Sequence, residues 1–170
     1  MAYPFAETAP AYYAAGLPVI PLVPGQKKPI PKGWQTYGER AVDPATQEQW
    51  LARYPDANIG LALGKASGLC AVDVDGLDVA IADRVLAALG LAVPWRRLGA
   101  KGFVALFKWR EGLKSFQVKA PDGSVLVELL GPGRQVVLPP SIHPDTRRPY
   151  TANCDLLDVL ADLPGVPHDL

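Results

Sequence analysis

Three segments in the first half of the chain carry the apolar spacing or the end signals of helices. They cover residues 7–15, a stretch that begins at Asp43, and residues 78–89. Asp43 is followed by proline, which is a typical start of a helix. The aspartate accepts hydrogen bonds from the free amides of the first turn, and proline has no amide hydrogen that needs a partner. Gly16 and Gly90 are expected to end the first and the third helix.

Shorter apolar runs predict strands, and most of them lie later in the chain. They cover, in order, residues 17–23, 58–64, 69–75, 103–109, 125–130 and 135–138. The first run contains two prolines and suits a sheet edge, because proline cannot donate to a strand ladder. This order predicts an α/β fold of the α+β type with a mixed sheet. Parallel pairing is possible across residues 69–107, and antiparallel pairing is favoured after that.

Composition indicates one globular domain over residues 1–170, with an acidic tail from about residue 154 to 170. Lys+Arg and Asp+Glu both number 17, so the formal net charge is zero and, taken alone, argues against nucleic-acid binding. No apolar run approaches the ~18 residues of a membrane span, and the first residues lack a signal peptide's features. Cys70 and Cys154 lack zinc-site spacing. We therefore expect a soluble cytoplasmic protein without membrane contact.

Two aspartates, Asp73 and Asp75, alternate with apolar residues on a predicted strand. Positions i and i+2 of a strand face the same way, so the two carboxylates lie side by side and repel unless a proton or cation lies between them. Hard oxygen ligands favour Mg²⁺ or Mn²⁺, and paired metals suit phosphoryl transfer. Alternatively, both aspartates end the strand and face water. Glu128, in the apolar run 125–130, is either a third ligand or a solvent-facing residue.

A basic segment covers residues 96–119, where seven Lys/Arg and one Glu give a local charge of +6. Within it, Lys101 lies in a glycine-flanked turn at residues 99–102, where backbone amides and a lysine can approach a phosphate. An ordinary hairpin turn with a solvated lysine is the alternative. Aromatic residues interleave with the cations, as on single-strand-binding surfaces, although the same pattern also serves core packing.

The stretch 135–144 ends in a proline-flanked histidine, His143. Its imidazole is a candidate phosphate contact. Alternatively, Ser141 and His143 hydrogen-bond a turn that ties down the edge of a sheet. A second basic turn contains Lys27 and Lys28, and His168 in the tail has no expected role.

Together these segments resemble the bifunctional DNA primase/polymerase N-terminal domain, the prim-pol group of the archaeo-eukaryotic primase superfamily. The resemblance extends from about Ala11 to Tyr150 and rests on the order and spacing of several motifs. These are residues 12–22, 24–29, Trp34, residues 58–60, Gly64, residues 67–69, 72–75, 127–128 and 139–144.

The resemblance implies a primase-type catalytic core with an RRM-like sheet flanked by helices. Asp73 and Asp75 match the family's first acidic motif and Glu128 the later one, so the three would hold two Mg²⁺ or Mn²⁺ ions. The implied activity is nucleotidyl transfer from NTP or dNTP onto primers on a single-stranded DNA template, in a bacterial cell or phage-infected host. The implied partner is a replicative helicase, on a separate chain or in a C-terminal region missing from these residues.

One departure from the family pattern concerns the nucleotide contacts. The family's histidine on the strand after the glycine-rich turn has no counterpart in residues 99–107. Lys101 is expected to supply the charge instead. The further candidates for nucleotide binding are Arg97, His143 and Ser141, and those for template or phosphate contact are Lys27 and Lys28. The departure motivates one alternative, a non-catalytic single-strand-binding replication accessory. A metal-dependent phosphohydrolase is the other alternative, since the same carboxylates could direct water at a phosphodiester.

Overall fold

The computed structural model describes residues 3–75 and 78–167, and the tail residue His168 lies outside them. The helices in this range are α1 Pro4–Ala14, α2 Pro44–Arg53, α3 Val79–Ala88 and α4 Leu156–Val159, with 3₁₀ turns at Trp34–Gly38 and Leu160–Asp162. The strands are β1 Val19–Leu22, β2 Asn58–Ala62, β3 Leu69–Val74, β4 Arg96–Leu98, β5 Phe103–Lys108, β6 Gln117–Lys119, β7 Val125–Leu130, β8 Gln135–Leu138 and β9 Thr151–Ala152.

The strands form two antiparallel sheets, which confirms the expected mixed α and β fold. One has the order β1-β2-β8, with the proline-containing β1 at its edge, and the other has the order β6-β7-β3-β5-β4-β9. The possible parallel pairing across residues 69–107 is wrong, because β3 and β5 are antiparallel, with Val72 opposite Ala105. The chain leaves β3 through α3 and enters β4, which the sequence did not predict. Because β4 and β5 are also antiparallel, β4 runs parallel to β3 but one strand away.

Helix ends agree with the predicted signals. Asp43 caps α2, its carboxylate accepting from the Thr46 amide at 3.0 Å. Gly16 and Gly90 follow α1 and α3 with φ of +80° and +73°, a left-handed conformation that glycine adopts without strain. Helix α1 begins at Pro4, three residues before the predicted start. None of the described helices is both long and apolar enough to cross a membrane.

Strand β3 separates two apolar cores. Cys70, Val72 and Val74, the apolar residues that alternate with the two aspartates, are buried on the face that α3 covers. Leu69 and Ala71 point the other way, into the core shared with the three-stranded sheet. Asp73 lies on the same face of β3 as Leu69 and Ala71 but is only partly buried. The carboxylate therefore lies where the core between the two sheets gives way to solvent.

Candidate functional site

One row of side chains crosses the six-stranded sheet at Asp73. Strand pairing puts Glu128 of β7 on one side of it and Val104 of β5 on the other. Gln117 follows Glu128, and Arg97 follows Val104. Directly opposed residues of antiparallel strands point to the same face, with Cβ atoms about 5 Å apart. The register therefore brings two carboxylates and a guanidinium to one face.

A cleft of about 320 Å³ opens over this row at Asp73. It collects six of the nine residues predicted for the site from five separate parts of the chain. These are Lys27, Asp73, Asp75, Arg97, Lys101 and His143. Asp145 and Tyr150 also line it and were not predicted. Glu128 instead lines a neighbouring cavity of about 350 Å³, together with Arg134.

Asp73 is the carboxylate whose surroundings most disfavour its charge. Burial raises its pKa, and the nearby Asp75 and Glu128 raise it further. Arg97 and Lys27 act in the opposite direction but do not cancel the effect. A divalent cation beside Asp73 would relieve this repulsion, and the carboxylate donors are of the type that Mg²⁺ and Mn²⁺ prefer.

Glu128 is adjacent to Asp73 in the strand register, but its carboxylate has other partners. Its Oε1 accepts from Gln117 Nε2 at 3.2 Å and lies 3.5 Å from Arg134 Nη1. Within residues 3–75 and 78–167, no group of three or more His, Cys, Asp or Glu side chains lies close enough together to hold a metal ion. The joint metal site of Asp73, Asp75 and Glu128 therefore stays a prediction.

Arg97 supplies the buried cation of the cleft. Its Nη1 donates to the Val137 carbonyl at 3.0 Å, and its guanidinium carbon lies 4.5 Å from the centre of the Tyr150 ring. Burial lowers the pKa of Arg97, while Tyr150 and Asp73 raise it. A guanidinium remains protonated under these conditions. The residue of the row on β5 is the apolar Val104, so the positive charge of the row comes from its partner on β4, Arg97.

His143 is held in one orientation at the wall of the cleft. Its Nδ1 accepts from the amides of Asp145 at 3.0 Å and Thr146 at 3.3 Å. An accepting Nδ1 carries no proton, so the proton of the neutral ring resides on Nε2. The ring centre lies 5.0 Å from that of Tyr150. His143 therefore offers one donor for an anion without needing a positive charge.

Ser141 lies outside the cleft and is fully buried. Its Oγ accepts from the Ile59 amide at 2.8 Å, which favours the interpretation that it ties the turn to the sheet. The contact of Ser141 with the nucleotide stays a prediction. Asn58, which was not predicted, has a similar role. Its side chain donates to the carbonyls of Gln26 and Ile142 and accepts from the Ile142 amide, all at 2.9 Å. The signal for this role in the sequence was the position of Asn58, a polar residue at the start of an apolar strand.

Two turns carry the lysines of the cleft. Lys27 reaches the cleft, and its carbonyl accepts from Gln135 Nε2 at 3.0 Å, which fixes the basic turn against β8. Lys28 is exposed and does not line the cleft. Lys101 is carried by the glycine turn, in which Gly102 has a φ of +64° and packs against the end of β3.

The aromatic residues of the basic segment do not form a stacking surface for bases. Phe103 and Phe107 are buried in the core beneath α3, and Trp109 and Phe116 pack against that core. Their alternation with cations is the ordinary alternation of a strand with one buried face. The interpretation of this pattern as core packing is confirmed.

We expect Asn58→Ala to lower the free energy of unfolding by about 2–4 kcal/mol, because it leaves buried amide and carbonyl groups of two loops without a hydrogen-bond partner. Urea denaturation followed by tryptophan fluorescence measures the change. Asn153→Ala is the matched control. Asn153 also joins two segments, accepting from the Arg96 amide and donating to the Pro94 carbonyl, but in an exposed setting. A loss at Asn58 no larger than that at Asn153 would show that Asn58 does not hold the loops together.

A cleft that sets carboxylates beside lysine, arginine and histidine is typical of the class of proteins that bind phosphate groups together with divalent metals. The family model of the bifunctional DNA primase/polymerase N-terminal domain, Prim-Pol, matches residues 9–166, and the chain belongs to this family. The match confirms the resemblance seen in the sequence. It implies nucleotidyl transfer with DNA and nucleotides as substrates. A comparison with curated proteins gives no match.

Proposed function

We propose that this domain performs template-directed nucleotidyl transfer, synthesising and extending primers on single-stranded DNA. The observation that supports it is the cleft that unites Asp73 and Asp75 with Lys27, Arg97 and Lys101. Membership of the Prim-Pol family supports the same reaction. A replicative helicase that supplies unwound template in the cytoplasm is the partner this proposal implies.

Asp73 and Asp75 are the residues proposed to hold Mg²⁺ or Mn²⁺. Glu128 would join them by turning from Arg134 towards its neighbour in the strand register. The fit rests on the shared cleft of Asp73 and Asp75 and on the strand register that sets Glu128 beside Asp73, and the pKa of Asp73, raised by burial and then by the other carboxylates, agrees with it. Two divalent ions, when bound, activate the attacking oxygen and stabilise the leaving one.

The cations of the cleft are proposed to bind the triphosphate of the incoming nucleotide. Lys101 supplies a mobile point charge on its turn, and Arg97 a fixed planar one from the sheet. His143 adds a neutral donor through Nε2. Lys27 meets phosphate inside the cleft, and the exposed Lys28 is placed to meet the template. In this arrangement the 3′-hydroxyl of the primer attacks the α-phosphate, and pyrophosphate leaves on the side of Lys101 and Arg97.

The test is an incubation of the protein with a single-stranded template, labelled nucleotides and Mn²⁺ or Mg²⁺. Labelled product longer than one nucleotide supports the proposal, and separate NTP and dNTP arms identify the preferred sugar. Salt-sensitive template binding without product would instead indicate a non-catalytic accessory. Shortened template would indicate a phosphohydrolase.

A further inference from the structure

Buried polar atoms without a hydrogen-bond partner gather around the cleft. Four such side-chain atoms occur in the part of the chain that the structure describes. Three of them, Arg97 Nε, Tyr150 Oη and Gln135 Oε1, belong to residues that line the cleft or the cavity adjoining it at Asp73. Folded proteins pair nearly all such groups, because an unpaired one is destabilising. Two of the three, Arg97 Nε and Tyr150 Oη, are donors, which indicates that a ligand with an acceptor completes them.

Tyr150 is the most buried of the three side chains, with 3 % of its surface exposed. Its ring centre lies 4.5 Å from the guanidinium carbon of Arg97 and 5.0 Å from the ring centre of His143. Both neighbours are candidate phosphate contacts in their own right. The Tyr150 ring therefore contacts both of these groups, and its burial restricts the position of its hydroxyl.

The hydroxyl is a neutral donor. Burial raises the pKa of Tyr150, and Asp145 and Asp73 raise it further against the opposing effect of Arg97. The phenol therefore keeps its proton at every physiological pH and is able to donate it in a hydrogen bond. Arg97 Nε is also a donor, since Nη1 of the same guanidinium is engaged with the Val137 carbonyl. The two donors without partners belong to side chains in contact with each other, and beside a guanidinium the acceptor that suits them best is an anion.

We infer that the Tyr150 hydroxyl and Arg97 Nε bind a phosphate oxygen of the polyphosphate chain, which makes Tyr150 a nucleotide-binding residue. This inference rests on the proposed function for the identity of the ligand as a nucleoside triphosphate. Since the hydroxyl is covered, it is reached only by a group that enters the cleft and replaces the contacts above it. Tyr150 thereby adds an uncharged contact to the cations of the cleft.

The experiment measures the affinity of the full chain for inorganic tripolyphosphate and for a deoxynucleoside triphosphate by calorimetry, with and without Mn²⁺. Tyr150→Phe keeps the ring and removes the hydroxyl. We expect the Kd for both ligands to rise about tenfold or more, because a hydrogen bond to a charged group is lost. The melting temperature should stay the same or rise, because the variant removes an unpartnered buried hydroxyl.

Tyr13→Phe is the matched control with the opposite signature. The Tyr13 hydroxyl donates to the Val19 carbonyl at 3.0 Å. Tyr13 packs against the same core as Tyr150 but lines neither the cleft nor the cavity that adjoins it. We expect this variant to lower the melting temperature and to leave both Kd values unchanged. The paired result, affinity without stability at Tyr150 and stability without affinity at Tyr13, is one that a merely structural tyrosine would not produce.

Three results would overturn the inference: an unchanged Kd in Tyr150→Phe, a loss of affinity that accompanies a loss of stability, or weaker binding of the nucleotide but not of tripolyphosphate. The last result would place the contact on the sugar or base. If the wild-type protein makes no primer but binds both ligands through this hydroxyl, the proposed function fails and the inference stands. If it extends primers and Tyr150→Phe binds like wild type, the inference alone fails.

Discussion

Asp73→Asn is expected to reduce primer extension by about 10³-fold or more, a loss of roughly 4 kcal/mol in transition-state stabilisation. Asp73 lies at the centre of the row of side chains that crosses the sheet. Glu128 is next to it on one side, and on the other side Val104 separates it from Arg97. An amide has nearly the same shape but is a far weaker ligand for a hard divalent cation. Extension of a labelled primer under single-turnover conditions measures the loss.

The same substitution should not weaken the metal-free fold. Burial raises the pKa of Asp73, so the folded chain holds this proton more tightly than the unfolded chain does. The contribution of Asp73 to stability therefore falls as pH rises from the unfolded pKa through the folded one, and at neutral pH it is unfavourable. Asparagine is neutral throughout. Asp73→Asn should unfold at the same or a higher urea concentration than wild type at pH 7.

Asp83→Asn is the control for the loss of a carboxylate as such. Asp83 is on α3, beneath the other face of the sheet, and its Oδ1 forms an ion pair with Arg96 Nη1 at 2.8 Å. Half-exposed pairs of this kind contribute at most about 1 kcal/mol, so we expect full activity. Retention of wild-type extension by Asp73→Asn, or an equal loss in both variants, would remove Asp73 from the proposed metal site.

Alternation along one strand was the most informative pattern in the sequence. The burial of Cys70, Val72 and Val74 follows from period two alone, and so does the placement of Asp73 on the opposite face. Helix ends were equally local, since Asp43 caps α2 through atoms three residues away. These predictions were correct because the chain segment that carries the signal also contains the interaction.

Features that depend on distant partners were missed. The sequence cannot show that Glu128 faces Arg134 and Gln117, because that contact depends on the register between β6 and β7 and on the loop after β7. Strand β4 has three residues and no apolar alternation, and its position depends on β5. In the sequence, Tyr150 is only the last residue of the resemblance, since its contacts with Arg97 and His143 form only in the folded chain.

The cations that give residues 96–119 their charge of +6 lie in different parts of the folded structure. Arg97 and Lys101 reach the cleft. Arg96 pairs with Asp83, and Lys108 donates to the Ala161 carbonyl, so these two cations hold helices to the sheet. The positive charge at the site therefore comes from single residues in separate segments, including Lys27. A net charge of zero is compatible with phosphate binding because the relevant quantity is the charge within the cleft.

Gly102→Ala is expected to lower the free energy of unfolding by at least about 3 kcal/mol and to abolish primer extension. Two effects add: a left-handed φ of +64°, which costs a residue with a Cβ roughly 1–2 kcal/mol, and a collision. A Cβ at this position would overlap the Val74 carbonyl oxygen and lie 3.3 Å from the Asp75 Cα. Relief requires the glycine turn, and Lys101 with it, to move away from the end of β3, where the two aspartates are set.

Gly68→Ala separates the two effects because Gly68 has nearly the same φ, +67°, and an added Cβ would meet no atom within 4 Å. It should lose only the roughly 1–2 kcal/mol of backbone strain and keep its activity. Urea denaturation and primer extension on both variants therefore isolate the contribution of close packing between the turn and β3. Equal losses of stability in the two variants would mean that the glycine turn can move away from β3 at little cost in free energy. The close approach of Gly102 to Val74 would then not be what holds Lys101 opposite Asp73 and Asp75.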